Sequence, residues 1–355
     1  MNRTVDVLVI GLGPAGAAAA LAAAEKGLSV IAIDRRREIG VPVQCAEFIP
    51  LPLGKYARSE GVIYQTIRGM KSYLPSGAME DTAFPGLMID RAAFDQALAR
   101  QARGFGAELW LDSRLADLDH SRNSARIKTS DGEATIDYRL LVAADGPHST
   151  VASALNLPEL EVVSTRQYTV PLTREYADTD IWLSADYPGG YAWLFPKGKW
   201  ANLGLGLDKR YADDMKVPLD ALHKQLIDQE LVGTEIAYRT GGAIPVGGMR
   251  ERLVVDSVLF TGDAAGLTHP ITGAGISAAV ISGERAGLAA AAYLRNSQTA
   301  ALADFEEDIR DQFEVTLQRA VERRRWLNQY WLTGAAERDD LHRKAWIAFP
   351  DYFVA

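Results

Sequence analysis

The stretch "VLVIGLGPAGAAAALAAA", residues 7–24, decides the fold of this 355-residue chain. Residues 5–10 are rich in Val, Leu and Ile, as expected of a parallel strand that is buried on both faces. The alanine-rich run that follows predicts a helix ending near Gly27. Glycines, a proline and Asp6 interrupt the apolar run, which argues against a signal peptide or a membrane span. The second strand, "LSVIAID" (28–34), completes a βαβ unit.

The turn inside this unit, Gly11-Leu12-Gly13-Pro14-Ala15-Gly16, has the spacing of a dinucleotide fingerprint. In that pattern Gly11 permits the tight turn, Gly13 lets a diphosphate approach the backbone, and Gly16 lets helix and strand pack closely. The amides at the helix start face the diphosphate with their positive end. Asp34, at the end of the second strand, is placed to accept hydrogen bonds from an adenosine ribose. Arg35 opens a run of three arginines and can stack on the adenine.

Composition and charge narrow the function. The chain is 48% hydrophobic and 24% charged, as in an ordinary globular protein, and its net charge of -8 disfavours nucleic acid and anionic lipid as partners. Cys45 is the single cysteine, so an internal disulfide is excluded and a reducing cytoplasm suits the chain. The five histidines are scattered and have no cysteine companions. We therefore predict a cytoplasmic protein without a structural metal or a transmembrane segment.

A second motif, "VLFTGDAAGLTHPITGAGI" (258–276), identifies the dinucleotide. A short buried strand ends at Gly262-Asp263, and an aspartate there can bind the ribityl hydroxyls of a flavin. The helix N-terminus from Gly273 to Ile276 points its dipole at the flavin N1 and C2 carbonyl region. His269-Pro270 precedes this helix, where the histidine can tune the flavin or simply pack. Because a bare NAD site needs neither feature, the sequence predicts FAD; an aspartate that only caps a core helix is the alternative.

Two further segments lie between these motifs. "MIDRAAFDQALARQA" (88–102) predicts a helix capped near Asp90, with Arg100 near its end. "YRLLVAADGPHSTV" (138–151) predicts a strand ending at Asp145 and a helix capped by Ser149. Its "ADGPHS" resembles the ADGxxS segment of FAD-dependent hydroxylases and reductases, although an Asp-Gly turn after a strand is often only a turn. The FAD domain is therefore discontinuous.

The order of the motifs resembles the geranylgeranyl reductase family of flavoproteins, within the para-hydroxybenzoate hydroxylase-like fold. The resemblance runs from residue 4 to about 295 and includes "PVQCAEF" (42–48) and "YAWLFPKGKWANLGLG" (191–206). The second of these is the most specific, since the family carries Tyr-x-Trp-x-Phe-Pro, a gap of seven or eight residues, and Gly-x-Gly. Here the gap is seven residues, between Pro196 and Gly204.

This resemblance implies an α/β fold. It consists of a Rossmann-type FAD-binding domain (1–45, 85–155 and 250–295), an interleaved antiparallel β-sheet substrate domain (46–84 and 156–249) and a C-terminal helical segment (296–355). Within the last segment, residues 303–331 read as one long helix. Only about sixty residues follow 295, fewer than in many family members, so we expect little cover for a long prenyl chain.

The resemblance also implies site residues. Ala15 and Asp34 would hold the ADP half of FAD, and Cys45 and Ala46 would lie against the isoalloxazine. Further cofactor contacts would come from Arg100, Leu115, Asp263, Gly275 and Ile276. Tyr191, Trp193 and Phe195 share one face of a strand, because alternate residues do, and would line an apolar tunnel for a polyprenyl chain. Phe48 stands where relatives often have glycine and would narrow the space beside the flavin.

The implied function is an FAD-dependent oxidoreductase that takes hydride from NAD(P)H and reduces a C=C bond of an isoprenoid or lipid-like substrate. Cys45 is either a proton donor or a small residue that lets the backbone approach the ring. No second GxGxxG is visible, so nicotinamide binds transiently or a ferredoxin-like protein supplies the electrons. Two alternatives stay open: a flavin electron-transfer protein serving a redox or radical enzyme, and an FAD monooxygenase or halogenase. The basic end "RRRWLNQYW" (323–331) leaves peripheral membrane contact open, although a docked terminal helix is favoured.

Overall fold

The protein, seen here as a computed structural model, is described over residues 2–354. Its helices are α1 (Pro14–Glu25), α2 (Arg91–Gly104), α3 (Thr150–Ala154), α4 (Lys216–Asp228), α5 (Ile276–Asn296), α6 (Ala301–Leu327) and α7 (Asp339–Ala345). Its strands are β1 (Asn2–Ile10), β2 (Val30–Ile33), β3 (Phe48–Pro50), β4 (Ile63–Ile67), β5 (Gly69–Tyr73), β6 (Met79–Thr82), β7 (Gly86–Ile89), β8 (Glu108–Trp110), β9 (Arg114–Asp119), β10 (Ser124–Thr129), β11 (Gly132–Ala143), β12 (Val162–Pro171), β13 (Asp178–Trp182), β14 (Ala192–Lys197), β15 (Trp200–Leu207), β16 (Tyr238–Pro245), β17 (Val254–Val255) and β18 (Val258–Phe260). Four 3₁₀ turns cover 51–56, 262–265, 334–337 and 350–353.

The first sheet carries the dinucleotide fingerprint. Its strand order is β17-β18-β11-β1-β2-β8, with β10 and β9 attached to β11. β1 pairs in parallel with both β2 and β11, and β11 pairs in parallel with β18. The carboxyl ends of β1, β11 and β18 therefore meet at one edge, where the motifs that follow these strands come together. The predicted Rossmann-type α/β sheet is confirmed.

Close packing of α1 against α5 explains the small residues of both helices. A Cβ atom at Gly283 would lie 2.0 Å from the carbonyl oxygen of Ala15, and one at Gly287 would lie 2.5 Å from that of Ala19. Since such distances are impossible for real atoms, α5 can approach α1 this closely only with glycine at both positions. This contact holds the middle of α5 beside the start of α1.

The second sheet has the order β16-β12-β15-β14-β13-β5-β6. It is antiparallel except at β13 and β5, which pair in parallel. Of the predicted substrate segment 46–84, β5 and β6 join this sheet, whereas β3 and β4 pair with β7 in a small third sheet. α4 packs on one face of the second sheet over a cluster that includes Leu194, Leu203 and Leu222.

The C-terminal residues cover part of the opposite face. The long helix expected over 303–331 is found as α6, and the chain then turns back through α7. Trp346 is 3% exposed, and its indole Nε1 donates to Ser72 Oγ at 3.2 Å. Ser76 Oγ donates to Asp339 Oδ2 at 2.6 Å. The segment is short, as noted from the sequence, yet residues 339–353 do lie on the sheet.

A buried carboxyl group on the α4 side of the second sheet makes stability depend on pH. Burial raises the pKa of Asp180 from 3.8 to about 7, and the Tyr176 hydroxyl donates to both of its oxygens at 2.7 and 2.8 Å. Because the folded state holds this proton more tightly than the unfolded state, stability falls as the pH rises from about 4 to 7. We expect Asp180→Asn to stabilise the protein at pH 8 relative to wild type by on the order of 2–4 kcal/mol more than at pH 4. Urea unfolding of both proteins at the two pH values checks this, and an equal difference at both would contradict it.

Candidate functional site

The glycine-rich turn forms an open cradle at the start of α1. Gly11 has a φ of +99°, and a Cβ atom there would lie 2.4 Å from the Ala144 carbonyl oxygen. A Cβ atom at Gly16 would lie 1.8 Å from the Gly11 oxygen, whereas one at Gly13 would meet no atom within 4 Å. α1 has no side-chain cap at Gly13 and no acidic residue in its first turn. The positive end of the helix thus borders open space, where a diphosphate fits.

Asp34 fixes the shape of this cradle. Its Oδ2 accepts from the Leu12 amide at 2.8 Å, and its Oδ1 accepts from the Arg36 amide at 2.8 Å. A carboxylate oxygen has two acceptor sites, so both oxygens retain capacity for ribose hydroxyls. Asp34 lies where a ribose-binding acid is expected and also ties β2 to the turn after β1.

Asp145 supplies an acceptor that the protein leaves unused. Its Oδ2 accepts from the Thr150 amide and hydroxyl at 2.7 and 2.9 Å, next to the cap that Ser149 provides to Ala152 as expected. Its Oδ1 is buried and has no hydrogen-bond partner among residues 2–354. An orphaned buried acceptor is costly, which fits a donor supplied by a bound cofactor.

The second motif lies against the first. A Cβ atom at Gly262 would be 3.0 Å from the Ala15 Cβ, so residues about 250 positions apart are in contact. Asp263 Oδ1 accepts from Thr268 Oγ1 at 2.6 Å, and burial raises the pKa of this carboxyl group. A Cβ atom at Gly275 would lie 2.5 Å from that same hydroxyl oxygen. α5 begins at Ile276 without a side-chain cap or an acidic residue in its first turn, so its positive end is available to the flavin ring.

The loop between Asp263 and α5 holds the histidine in its neutral form. Burial lowers the pKa of His269 to about 4. Its Nδ1 accepts from the Ile271 and Thr272 amides at 3.4 and 3.3 Å, and its Nε2 has no hydrogen-bond partner within the described residues. Pro270 and Gly273, the latter with a φ of +67°, complete the turn. His269 therefore shapes this loop as an uncharged side chain.

Residues 43–47 lie across β16, β12 and β15 of the second sheet. Gln167 Nε2 donates to the Cys45 carbonyl oxygen at 3.1 Å, and Asn202 Nδ2 donates to that of Ala46 at 3.3 Å. Thr240 Oγ1 donates to the Val43 carbonyl oxygen at 2.9 Å. Burial raises the pKa of the Cys45 thiol, so it is protonated at neutral pH. Cys45 and Ala46 are thus fixed against the second sheet.

Tyr191, just before β14, and Trp193 and Phe195 within it pack against one cluster and form a wall. The structure also explains the first glycine of Gly-x-Gly. The Tyr191 and Trp193 rings are 5.7 Å apart, and a Cβ atom at Gly204 would lie 2.4 Å from the Trp193 ring. With glycine there, the indole lies across β15 and donates from Nε1 to Gln167 Oε1 at 3.2 Å. The Trp193 indole, which shares Gln167 with the Cys45 carbonyl oxygen, is therefore fixed as well.

An aromatic series continues from this wall to the surface. The ring centroids of Phe195 and Phe48 are 6.0 Å apart, and those of Phe48 and Phe84 are 5.7 Å apart. Phe84 is 41% exposed. Phe48 connects the wall to the surface, and its effect on the space beside the flavin stays a prediction.

Sequence reasoning missed Glu47. Its side chain is 4% exposed, and it accepts from Lys197 Nζ at 2.8 and 2.9 Å, from Asn202 Nδ2 at 2.9 Å and from the Arg91 amide at 2.9 Å. Its φ is +71°, a strained value for a side chain of this kind. The carboxylate therefore joins the Cys45 segment to the second sheet and to α2. An acidic residue two positions after Cys45 was visible in "QCAEF". Its partner Lys197, 150 residues away, was not.

Three predicted cofactor residues lie at the edge of this assembly. Arg35 is exposed and borders an open cavity with Asp112 and Arg114. Arg100 lies on the exposed side of α2, and Leu115 on β9 packs against the core. The hydrogen bonds and close contacts of the cradle given above involve other residues, so the roles of these three stay predictions.

Within residues 2–354 no group of three or more His, Cys, Asp or Glu side chains is arranged to hold a metal ion. Over the same range, every helix is too short or too polar to cross a bilayer. The predicted cytoplasmic location stays a prediction.

Two family models match separate parts of the chain. Residues 6–146 match the FAD dependent oxidoreductase family, and residues 162–242 match the geranylgeranyl reductase catalytic domain. Digeranylgeranylglycerophospholipid reductase 1 of Methanopyrus kandleri is 36% identical over 333 residues, 87% of this chain and 88% of that protein. The digeranylgeranylglycerophospholipid reductase of Methanosarcina acetivorans is 34% identical over 310 residues, 82% and 76% of the two chains. The crystal structure of a geranylgeranyl bacteriochlorophyll reductase-like protein from Thermoplasma acidophilum superposes with a TM-score of 0.85 at 25% identity, covering 97% of this chain and 92% of that one.

Proposed function

The chain belongs to the geranylgeranyl reductase family of FAD-dependent oxidoreductases, and from this premise we propose that it reduces C=C bonds of an isoprenoid lipid with electrons from NAD(P)H. The observation that carries the proposal is the position of Cys45, held against the second sheet beside the Trp193 indole of the aromatic wall. The relatives are named for reduction of a digeranylgeranyl glycerophospholipid. We propose a substrate of that chemical class.

The residues present fit FAD. We propose that the Gly11–Gly16 cradle and Asp34 hold its ADP half, with Asp145 Oδ1 accepting a donor from the cofactor. Asp263 and the start of α5 would bind the ribityl chain and the ring. When bound, FAD supplies hydride to the substrate. The aromatic wall orients the chain and keeps water away from the reacting carbons.

Reduction of an alkene also requires a proton at the second carbon. We propose that Cys45 Sγ–H donates it, and that the thiolate is then reprotonated from water. The raised pKa of the thiol keeps the proton in place until hydride arrives. The Gln167 and Asn202 bonds to the Cys45 and Ala46 carbonyl oxygens hold the segment against the wall.

Anaerobic mixing tests the proposal as a whole. FAD-loaded protein is mixed with NADH or NADPH while the flavin absorbance is followed, and the reduced protein is then mixed with an unsaturated isoprenoid lipid. We expect bleaching by one nucleotide and reoxidation by the lipid, with a saturated product by mass spectrometry. If a nucleotide bleached the flavin but the lipid did not reoxidise it, the proposed substrate class would be wrong. If neither nucleotide bleached the flavin, NAD(P)H would not be the donor and a ferredoxin-like protein would be favoured.

Cys45→Ala separates the two half-reactions. We expect reoxidation by lipid to slow about 100-fold or more because general acid catalysis is lost, while reduction by the nucleotide stays unchanged. Stopped-flow absorbance of the variant checks both rates. If lipid reoxidised the flavin of Cys45→Ala at the wild-type rate, Cys45 would be needed only for its small size.

The family match leaves the two other interpretations without support of their own. A monooxygenase or halogenase would consume oxygen with the reduced flavin, and an electron-transfer protein would reoxidise with a redox partner. Oxygen uptake that is coupled to product formation would revive the first.

A further inference from the structure

The arginine that begins α2 has a buried partner and spare donors. Arg91 Nε and Nη2 donate to the two oxygens of Asp95 at 2.9 and 3.0 Å, and Asp95 is 1% exposed. The Arg91 side chain is itself 18% exposed, so the pair fixes its planar head in a largely enclosed position. A guanidinium has five N–H groups, and this bidentate pair leaves three of them for other partners. The FAD cradle and the aromatic wall use neither side chain.

The start of α2 lies against the segment that carries Cys45. The Arg91 amide donates to Glu47 Oε1 at 2.9 Å, and the Ile89 amide donates to the Glu47 carbonyl oxygen at 2.9 Å. The Glu47 amide in turn donates to Cys45 Sγ at 3.2 Å. The sulfur therefore has one backbone donor already and is connected through Glu47 to the first residue of α2.

The Arg91 guanidinium acts on two groups of the site. Burial raises the pKa of the Cys45 thiol, and the Arg91 guanidinium opposes that rise. Burial also raises the pKa of Asp263, where the Thr268 hydroxyl and the Arg91 charge oppose it. The guanidinium therefore lies close to Cys45 and also to the second flavin motif.

The other charges near the sulfur do not replace that of Arg91. The Glu47 carboxylate raises the pKa of the Cys45 thiol, but Lys197 Nζ lies 2.8 Å from this carboxylate and offsets its charge. The β12 and β15 side chains that bind the segment are uncharged amides. The positive charge that acts on the sulfur therefore comes from Arg91.

Proton donation by Cys45 breaks the S–H bond and leaves its electron pair on sulfur, while a C–H bond forms at the second alkene carbon. Resting on the proposed function, we infer that Arg91 is a positioning residue for this step, whose guanidinium, with the Glu47 amide, stabilises the thiolate that remains. A buried anion without such partners is costly, and hydrogen bonds to a charged group are about twice as strong as neutral ones. Asp95 holds the guanidinium in place, and Arg91 acts on the reaction through Cys45.

Because Cys45 is the single cysteine, its ionisation can be measured without lipid. The apoprotein is alkylated with iodoacetamide, and the midpoint of the rate against pH gives the pKa of the thiol independently of how easily the reagent reaches the sulfur. Arg91→Met removes the guanidinium, and its combination with Asp95→Asn avoids leaving a buried carboxylate unpaired. Arg103→Met makes the same change at an exposed position of α2. We expect the midpoint to rise by about one pH unit or more in both Arg91 variants and to stay at the wild-type value in R103M.

The reaction with lipid should follow the thiol. A thiol with a higher pKa is a weaker acid, so lipid reoxidation of the reduced flavin should slow about three- to tenfold in both Arg91 variants, with nucleotide reduction unchanged. When Cys45 is already alanine, Arg91→Met should slow lipid reoxidation no further.

Two results would overturn the inference: an unchanged alkylation midpoint in both Arg91 variants, or an equal slowing of lipid reoxidation by Arg91→Met with and without the Cys45 thiol. The second result would mean that Arg91 only supports the fold. If no isoprenoid reoxidises the wild-type flavin, the proposed function fails and the role in proton donation fails with it. An unchanged midpoint in a protein that lipid does reoxidise overturns the inference alone.

Discussion

Replacing Gly13 with alanine is expected to weaken FAD binding by about a hundredfold, equivalent to about 2.7 kcal/mol, while the apoprotein folds as before. Gly13 has a φ of -74°, which alanine adopts easily, and its added Cβ would meet no protein atom within 4 Å. That open space is where the diphosphate is expected to approach the backbone. Titration of apoprotein with FAD gives the affinity, and thermal unfolding of the apoprotein gives the stability.

Gly16→Ala provides the matched comparison three residues along the same turn. Its Cβ would lie 1.8 Å from the Gly11 carbonyl oxygen, so α1 must move away from β1. We expect the apoprotein itself to lose about 3 kcal/mol of stability from this overpacking. If Gly13→Ala destabilised the apoprotein as much as Gly16→Ala, the space beside Gly13 would be part of the packing and not a ligand site.

The sequence predicts best those features that depend on neighbouring residues. The βαβ unit, the cap at Asp90 and the cap at Ser149 are found as expected, because each is set by residues within a few positions. The shared face of the β14 aromatics is equally local, since it follows from the alternation of a strand. That the two flavin motifs assemble into one domain followed from their chemistry, since both serve one cofactor, although the contact between them did not.

Contacts between distant segments could not be read in this way. Glu47 is two positions after Cys45 in the chain, yet its role depends on Lys197 and Asn202, about 150 residues away. The cover over the second sheet likewise depends on Trp346 and Ser72, 274 positions apart. A one-residue change of strand register would break either contact, and the local pattern does not specify that register.

Glu47→Ala is expected to cost about 3 kcal/mol of folding stability, because it removes the nearer carboxylate partner of the largely buried Lys197 and leaves only Asp90, at 3.8 Å. Lys197 has 16% of its side chain exposed, and in the variant Asn202 and the Arg91 amide would also lose their acceptor. Glu47→Gln keeps an acceptor of the same shape and should lose less. Urea unfolding of the two variants gives the free energies.

Loss of Glu47 should also slow the reaction with lipid, because this carboxylate holds the segment that carries Cys45. We expect lipid reoxidation of the reduced flavin to slow in Glu47→Gln under conditions where the variant is fully folded, with nucleotide reduction unchanged. Lys224→Ala is the control, since its pair with Asp228 is exposed and should cost less than about 0.5 kcal/mol with no change in either rate. If Glu47→Ala were as mild as Lys224→Ala, the ion pair with Lys197 would not hold the two parts together, and the fixed position of Cys45 would need another cause.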